Sequence, residues 1–167
     1  MKTKSLGNFL FVICALALIS IAYSCKSDDV ITPVVGPDAN TINGTVTFAD
    51  TGFISTGGVY LISAFTTWLP SGPPAAYDTI KISRGTSGRW NTAYDYKLKG
   101  ISSGAYAISV GFRKSTGGQS PIMGLYGCDT THNMCVLTDT VKARVINNSG
   151  VAGINFPSWA DTTKKLY

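Results

Sequence analysis

From residue 42 onward, apolar side chains return at every second position, in runs of five to nine residues. Side chains alternate between two faces in this way in an extended strand, so each run builds a strand with one face to bury. The runs are Asn43 to Ala49, Val59 to Phe65, Thr79 to Ser83, Ala93 to Lys99, Ala105 to Arg113, Pro121 to Tyr126, Thr140 to Ile146 and Val151 to Phe156. Turn-forming residues separate them, among them Gly57-Gly58, Ser71-Gly72-Pro73-Pro74, Ser102-Ser103-Gly104, Gly117-Gly118 and Asn147 to Gly150. In the fourth run Tyr94, Tyr96 and Leu98 oppose Asp95, Lys97 and Lys99. Short strands that each bury one face suit two sheets packed face to face. The expectation is all-β: an antiparallel Greek-key sandwich of seven to eight strands over residues 42–167. Eighteen glycines and the lack of any helical apolar stripe exclude a helical bundle.

The first 24 residues read as a leader rather than as part of this fold. Lys2 and Lys4 form a positive start, and Leu10 to Ile21 is an apolar run interrupted only by Ser20. That run is shorter than the ~20 residues a bilayer span needs. It ends in Ile21-Ala22-Tyr23-Ser24-Cys25, which resembles the signal of bacterial lipoproteins. The resemblance implies cleavage before Cys25, lipid on its sulfur and acylation of the new N-terminus. Such acyl chains anchor firmly, because each buried CH₂ contributes ~0.8 kcal/mol. An ordinary secretory signal or an uncleaved anchor are the other readings. Lys26-Ser27-Asp28-Asp29 follows and resembles the surface-export signal of Bacteroidetes lipoproteins. It implies an outer-membrane protein facing the cell exterior, with a periplasm-facing one as the alternative. Residues 25–41, with Pro33, Gly36 and Pro37, then read as the lipidated N-terminus and a flexible linker.

Charge and acid content exclude several activities. The full chain carries 14 Lys+Arg and nine acids, a net +5, but two lysines leave with the leader. The remaining basic residues are scattered, with no basic stripe interleaved with aromatics, so nucleic acid is not an expected partner. All nine acids are Asp, which excludes a two-glutamate acid/base pair. His132 is the one histidine, which excludes a three-histidine zinc site. No nucleophile elbow or phosphate-cradling loop is present. No cofactor, metal or catalytic residue is therefore expected. A hydrolase using His132 with Asp129 is the weakest alternative, since a general base needs a nucleophile and an orienting group beside it.

Cys14 leaves with the leader and Cys25 takes lipid, so Cys128 and Cys135 remain. In an exported protein this pair reads as a disulfide closing a small loop, worth ~2–3 kcal/mol in the chain-entropy model. A metal reading of Cys128, Asp129, His132 and Cys135 lacks the usual ligand spacing.

Residues Leu98 to Val110 run Leu-Lys-Gly-Ile-Ser-Ser-Gly-Ala-Tyr-Ala-Ile-Ser-Val. This resembles the L-x-G-L-x-x-G-x-Y-x-L-x-V hairpin of carboxypeptidase regulatory-like domains, which are transthyretin-like (prealbumin-like) sandwiches. Ile42 to Phe48 resembles their first strand, and Val151 to Phe156 sits where their last one lies. The resemblance implies that Gly104 ends a tight turn and that Tyr106, Ile108 and Val110 face the core. It implies a non-catalytic module and is nearly silent on ligand. The stretch Thr66 to Tyr77 and the Cys128–Cys135 loop are additions to that pattern.

Those additions carry the candidate binding residues. Trp68 and Tyr77, within one long loop, either stack on a sugar ring or peptide, or Trp68 and Leu69 fold back over one end of the core. Tyr126 either joins that surface or packs. Trp90 and Trp159 are expected to cap the core. Asp-Thr followed by an aliphatic residue or Thr recurs at Thr79, Thr130, Thr140 and Thr162. It resembles the O-glycosylation signal of Bacteroidetes, although Asp and Thr also bond their own backbone at turns. The sequence thus points to a membrane-anchored, non-catalytic module that binds a glycan or peptide, or else serves in an envelope-protein assembly.

Overall fold

The structure is a computed structural model that describes residues 36–118, 120–130, 135, 137 and 140–167. The leader, Cys25, the first part of the linker and His132 lie outside the described residues. Among the described residues eight strands follow in order: β1 (Thr41–Ala49), β2 (Gly58–Phe65), β3 (Ala76–Ile80), β4 (Ala93–Lys99), β5 (Gly104–Lys114), β6 (Ile122–Leu125), β7 (Ala143–Val145) and β8 (Phe156–Trp159). They form two sheets, one ordered β4-β1-β8 and one ordered β3-β2-β5-β6, with β7 paired to β5. The all-β sandwich expected from the alternation is the fold.

Alternation sorts each strand. Ile42, Val46 and Phe48 of β1 and Tyr96 and Leu98 of β4 are buried with Tyr60, Ile62 and Ala64 of β2 in one core. Tyr106, Ile108, Val110 and Phe112 of β5 complete it. Burying a large apolar side chain contributes ~1.5–3 kcal/mol, so this inner layer dominates the fold's stability. Phe48, Tyr60 and Phe112 meet edge-to-face, with ring centroids 5.0 Å apart at each step.

The Gly-x-Tyr of the β5 hairpin has a physical basis. The Tyr106 hydroxyl donates to the Ser102 carbonyl at 3.0 Å, tying the strand to the turn that precedes it. A Cβ on Gly104 would sit 3.2 Å from the Tyr106 ring, so the ring would have to shift by a few tenths of an ångström to admit one. Gly44 is the stricter position, since a Cβ there would lie 1.9 Å from the Ile154 carbonyl oxygen.

Two strands differ from expectation. β3 runs from Ala76 to Ile80 instead of from Thr79 to Ser83, because Ala76 to Ile80 pairs antiparallel with Tyr60 to Ala64. Tyr77 therefore belongs to a strand and not to the preceding loop. The last strand begins at Phe156, and it pairs with β1 in parallel, as Val46 with Phe156 and Phe48 with Ser158. The sandwich is thus antiparallel except for this ladder and a parallel bridge of Ile42 with Val151. Between bridge and ladder, Gly153 takes a positive φ and breaks the extended chain. There the Asn155 side chain accepts from the Thr45 N–H at 2.8 Å.

A smaller apolar cluster covers part of the outer face of the five-stranded sheet. Ala107 of β5, Leu125 of β6, Cys128 and Leu166 are its buried members, with Trp68, Cys135 and Trp159 packed against them. Cys128 and Cys135 are disulfide-bonded, with Cα atoms 5.7 Å apart. The Ile122 N–H donates to the Tyr167 carbonyl at 2.9 Å, and the Leu166 N–H donates to the Ile122 carbonyl at 2.7 Å. These bonds lay residues 166–167 along β6 and bring Tyr167 to the outer face.

Candidate binding groove

The residues of β2 and β5 that do not enter the core point the other way. Register pairs Leu61 with Gly111, Ser63 with Ser109 and Val59 with Arg113. Tyr77 of β3 pairs with Ser63, and Ile122 of β6 with Gly111, so both join the same outer face. All of these but Val59 line a groove of about 580 Å³. Such a volume lies within the ~300–1,000 Å³ usual for small-ligand sites. Leu69, Pro70, Gly72 and Pro74 of the loop before β3 form one wall, and Tyr167 borders it as well.

Side-chain size makes the trench. Ser63, Ser109 and Gly111 give a low floor, while Leu61, Phe65, Ile122 and the two tyrosines rise around it. Ser63 is 8% and Ser109 2% exposed. Neither side chain forms a hydrogen bond among the described residues. Both hydroxyls open onto the groove, where water or a ligand can meet them. Tyr77 and Tyr167 are 64% and 49% exposed, so their rings are available to a ligand. Arg113 is exposed and pairs with no carboxylate among the described residues.

Of the residues expected to bind, Tyr77 lines this groove and two do not. Trp68 is half-buried against the Leu125–Cys128–Leu166 cluster, which is a packing role on the outer sheet face and not at one end of the main core. Tyr126 packs on the core, edge-on to Phe156 with centroids 6.3 Å apart. Trp159 packs against both clusters. Trp90 lies under the Arg84 guanidinium, 4.0 Å from its ring centroid, within the turn that links Arg84 to Trp90. Arg113, Tyr167 and the serine pair carried no signal in the sequence, because only long-range register assembles them.

A second recess of about 700 Å³ borders β1, β3 and β4. Of its charged side chains, Asp78, Asp95 and Lys97 have partners within the protein, and Lys81 forms no ion pair among the described residues. The Thr45 hydroxyl donates to Asp95 at 2.6 Å, and Lys97 is paired with Asp38. The Lys97 hydrogen bond and charge hold the Asp38 carboxyl below the usual range. The Tyr96 hydroxyl donates to the Ile154 carbonyl at 2.7 Å, and burial raises its pKa well above the ordinary value, helped by Tyr126. Asn43 Oδ1 is buried there without a partner among the described residues. The recess is more open than the groove and presents no exposed ring comparable to Tyr77.

The Asp-Thr positions separate by access. Thr79 is exposed on β3, and its N–H is held by Asp78 at 2.7 Å. Thr130 is half-buried, with its hydroxyl 3.5 Å from Asp129. Thr140 is half-buried. The Thr162 hydroxyl accepts from Ser55 at 3.1 Å, and Asp161 bonds Thr163 instead, through its N–H at 2.9 Å and its hydroxyl at 2.8 Å. Those bonds lower the Asp161 pKa. No group of three or more His, Cys, Asp or Glu able to hold a metal occurs among the described residues.

Comparison with protein-family models, curated proteins and solved structures returns no match to this chain.

Proposed function

We propose that this chain is a cell-envelope lipoprotein, anchored through Cys25, whose sandwich is a non-catalytic module that binds a glycan or peptide at the cell surface. The anchoring half of the reading rests on the Ile21 to Cys25 box and the Asp28-Asp29 pair behind it. The binding half rests on one observation: a groove on the outer sheet face with two serine hydroxyls opening onto its floor and an exposed tyrosine ring at its wall. An assembly role through strand pairing is less favoured. On the edge strand β3, the Thr79 N–H is already held by Asp78, and a charge on an edge strand opposes pairing with another chain.

Two measurements on the full chain in its host membrane test the halves separately. Protease treatment of intact cells should release the domain, and Cys25→Ala should move the protein to the soluble fraction. Retention of the domain until the outer membrane is permeabilised would overturn surface display. Retention of oligosaccharides or peptides on an array, lost in Tyr77→Ala, is the result expected of the groove. Binding indifferent to Tyr77 would overturn it.

A further inference from the structure

Resting on the reading of the groove as a binding site, we infer that its ligand is a carbohydrate bearing an anionic group, a carboxylate or a sulfate, received by Arg113.

The floor decides between sugar and peptide. An extended peptide is held on a sheet by its edge, where unpaired backbone groups receive it. This groove crosses a sheet face, and the backbones of β2 and β5 beneath it are committed to their ladder from Gly58 with Lys114 to Phe65 with Ala107. The serine hydroxyls of the floor both donate and accept. A sugar hydroxyl does the same, so it can satisfy Ser63 and Ser109 in either sense. A peptide amide laid over Leu61, Phe65 and Pro74 would lose its water with few partners to replace it. The C–H face of a sugar ring packs instead on an aromatic face, and Tyr77 and Tyr167 present such faces at the border of the groove.

Charge decides between neutral and acidic sugars. Arg113 is the one charged side chain lining the groove among the described residues, and no Asp lines it. Its side chain is exposed and unpaired among the described residues. The guanidinium offers a planar fork of donors that fits a carboxylate or sulfate, and an ionised acceptor strengthens each bond. No side-chain carboxylate in the groove pairs with this cation, so it is open to an anionic ligand group.

The test is an array of neutral, uronic-acid, sialylated and sulfated oligosaccharides with extended peptides alongside, probed with the mature chain, Arg113→Gln and Tyr77→Ala. Thermal melts verify that both variants stay folded, as exposed positions should allow. The expected result is retention of acidic oligosaccharides over neutral ones by tenfold or more. Arg113→Gln should remove that preference, and Tyr77→Ala should weaken every bound sugar. The carboxylated and sulfated sets then identify which anion is preferred. Equal retention of neutral and acidic sugars, still dependent on Tyr77, would overturn the acidic ligand and leave the binding groove standing. Retention of peptides alone would overturn the carbohydrate. Retention of nothing would overturn both the carbohydrate and the binding reading.

Discussion

Ser63 and Ser109 stand opposite each other across the β2–β5 ladder, each more than nine-tenths buried, on the face turned away from the core. Larger residues there would extend the outer apolar cluster of Leu125 and Cys128 across the sheet. Small polar ones leave a trench.

The serine pair is expected to contribute to binding at the expense of stability. A hydroxyl that opens onto the groove and bonds no protein group gains little from the fold, so Ser63→Ala and Ser109→Ala should each change unfolding free energy by less than ~1 kcal/mol, or raise it slightly. Ligand affinity should fall in both. Urea denaturation and titration of the same samples measure the two effects.

Tyr106→Phe should cost ~1 kcal/mol, the usual net value of the hydrogen bond it deletes to Ser102. Tyr60→Phe should cost more. The Tyr60 hydroxyl donates to the Ala160 carbonyl and accepts from the Ser55 N–H at 2.9 Å, so two backbone groups lose their partner. A value of ~1–3 kcal/mol is expected, read from denaturant midpoints at unchanged m.

Tyr96 should make the domain sensitive to alkali. Its folded pKa is raised above the ordinary 10.0, chiefly by burial, so the neutral hydroxyl is the form that the fold favours. The contribution is complete below pH 10.0 and declines as pH rises toward the higher folded value, because the unfolded chain ionises first. Tyr96→Phe should be less stable at neutral pH, since the Ile154 carbonyl loses its donor, yet should lose less stability between pH 9.5 and 11. Denaturation curves at stepped pH test this directly, and parallel slopes for the two proteins would contradict it.

Reduction of the Cys128–Cys135 disulfide should destabilise the domain by ~2–3 kcal/mol. Cys128 packs with Leu125 and Leu166, and Trp68 lies against them. Trp68 emission should therefore shift to the red on reduction before global unfolding, with Trp68→Phe as the control that removes the signal.

What the sequence made legible follows from the range of the forces involved. β1, β2, β4 and β5 were readable because each is a clean alternation with a turn at either end, and Gly104 and Tyr106 mark the β5 hairpin locally. The β3 boundary was misplaced because Ile80 and Ile82 alternate like a strand, while the chain turns after Ile80, where the Ile82 N–H bonds the Ile80 carbonyl at 3.1 Å. The parallel direction of β8 is a matter of which strand it meets, and nothing local records that. The groove was least legible. Tyr77 stands out in the sequence as an aromatic in a Pro-rich stretch, while its place on the groove is set by the β2–β3 register. Ser63, Ser109 and Arg113 look like ordinary outward positions until register sets them side by side, and Tyr167 arrives only through the pairing of residues 166–167 with Ile122.

The most direct test of the groove is an amide and side-chain NMR titration of the mature domain with the acidic oligosaccharide retained most strongly on the array. Perturbations centred on Ser63, Tyr77, Ser109, Arg113 and Tyr167 are predicted, with the outer face of β1 and β4 silent. Perturbations centred on the recess at Asn43 and Asp95, or none at saturating sugar, would contradict the assignment of this sheet face as the binding site.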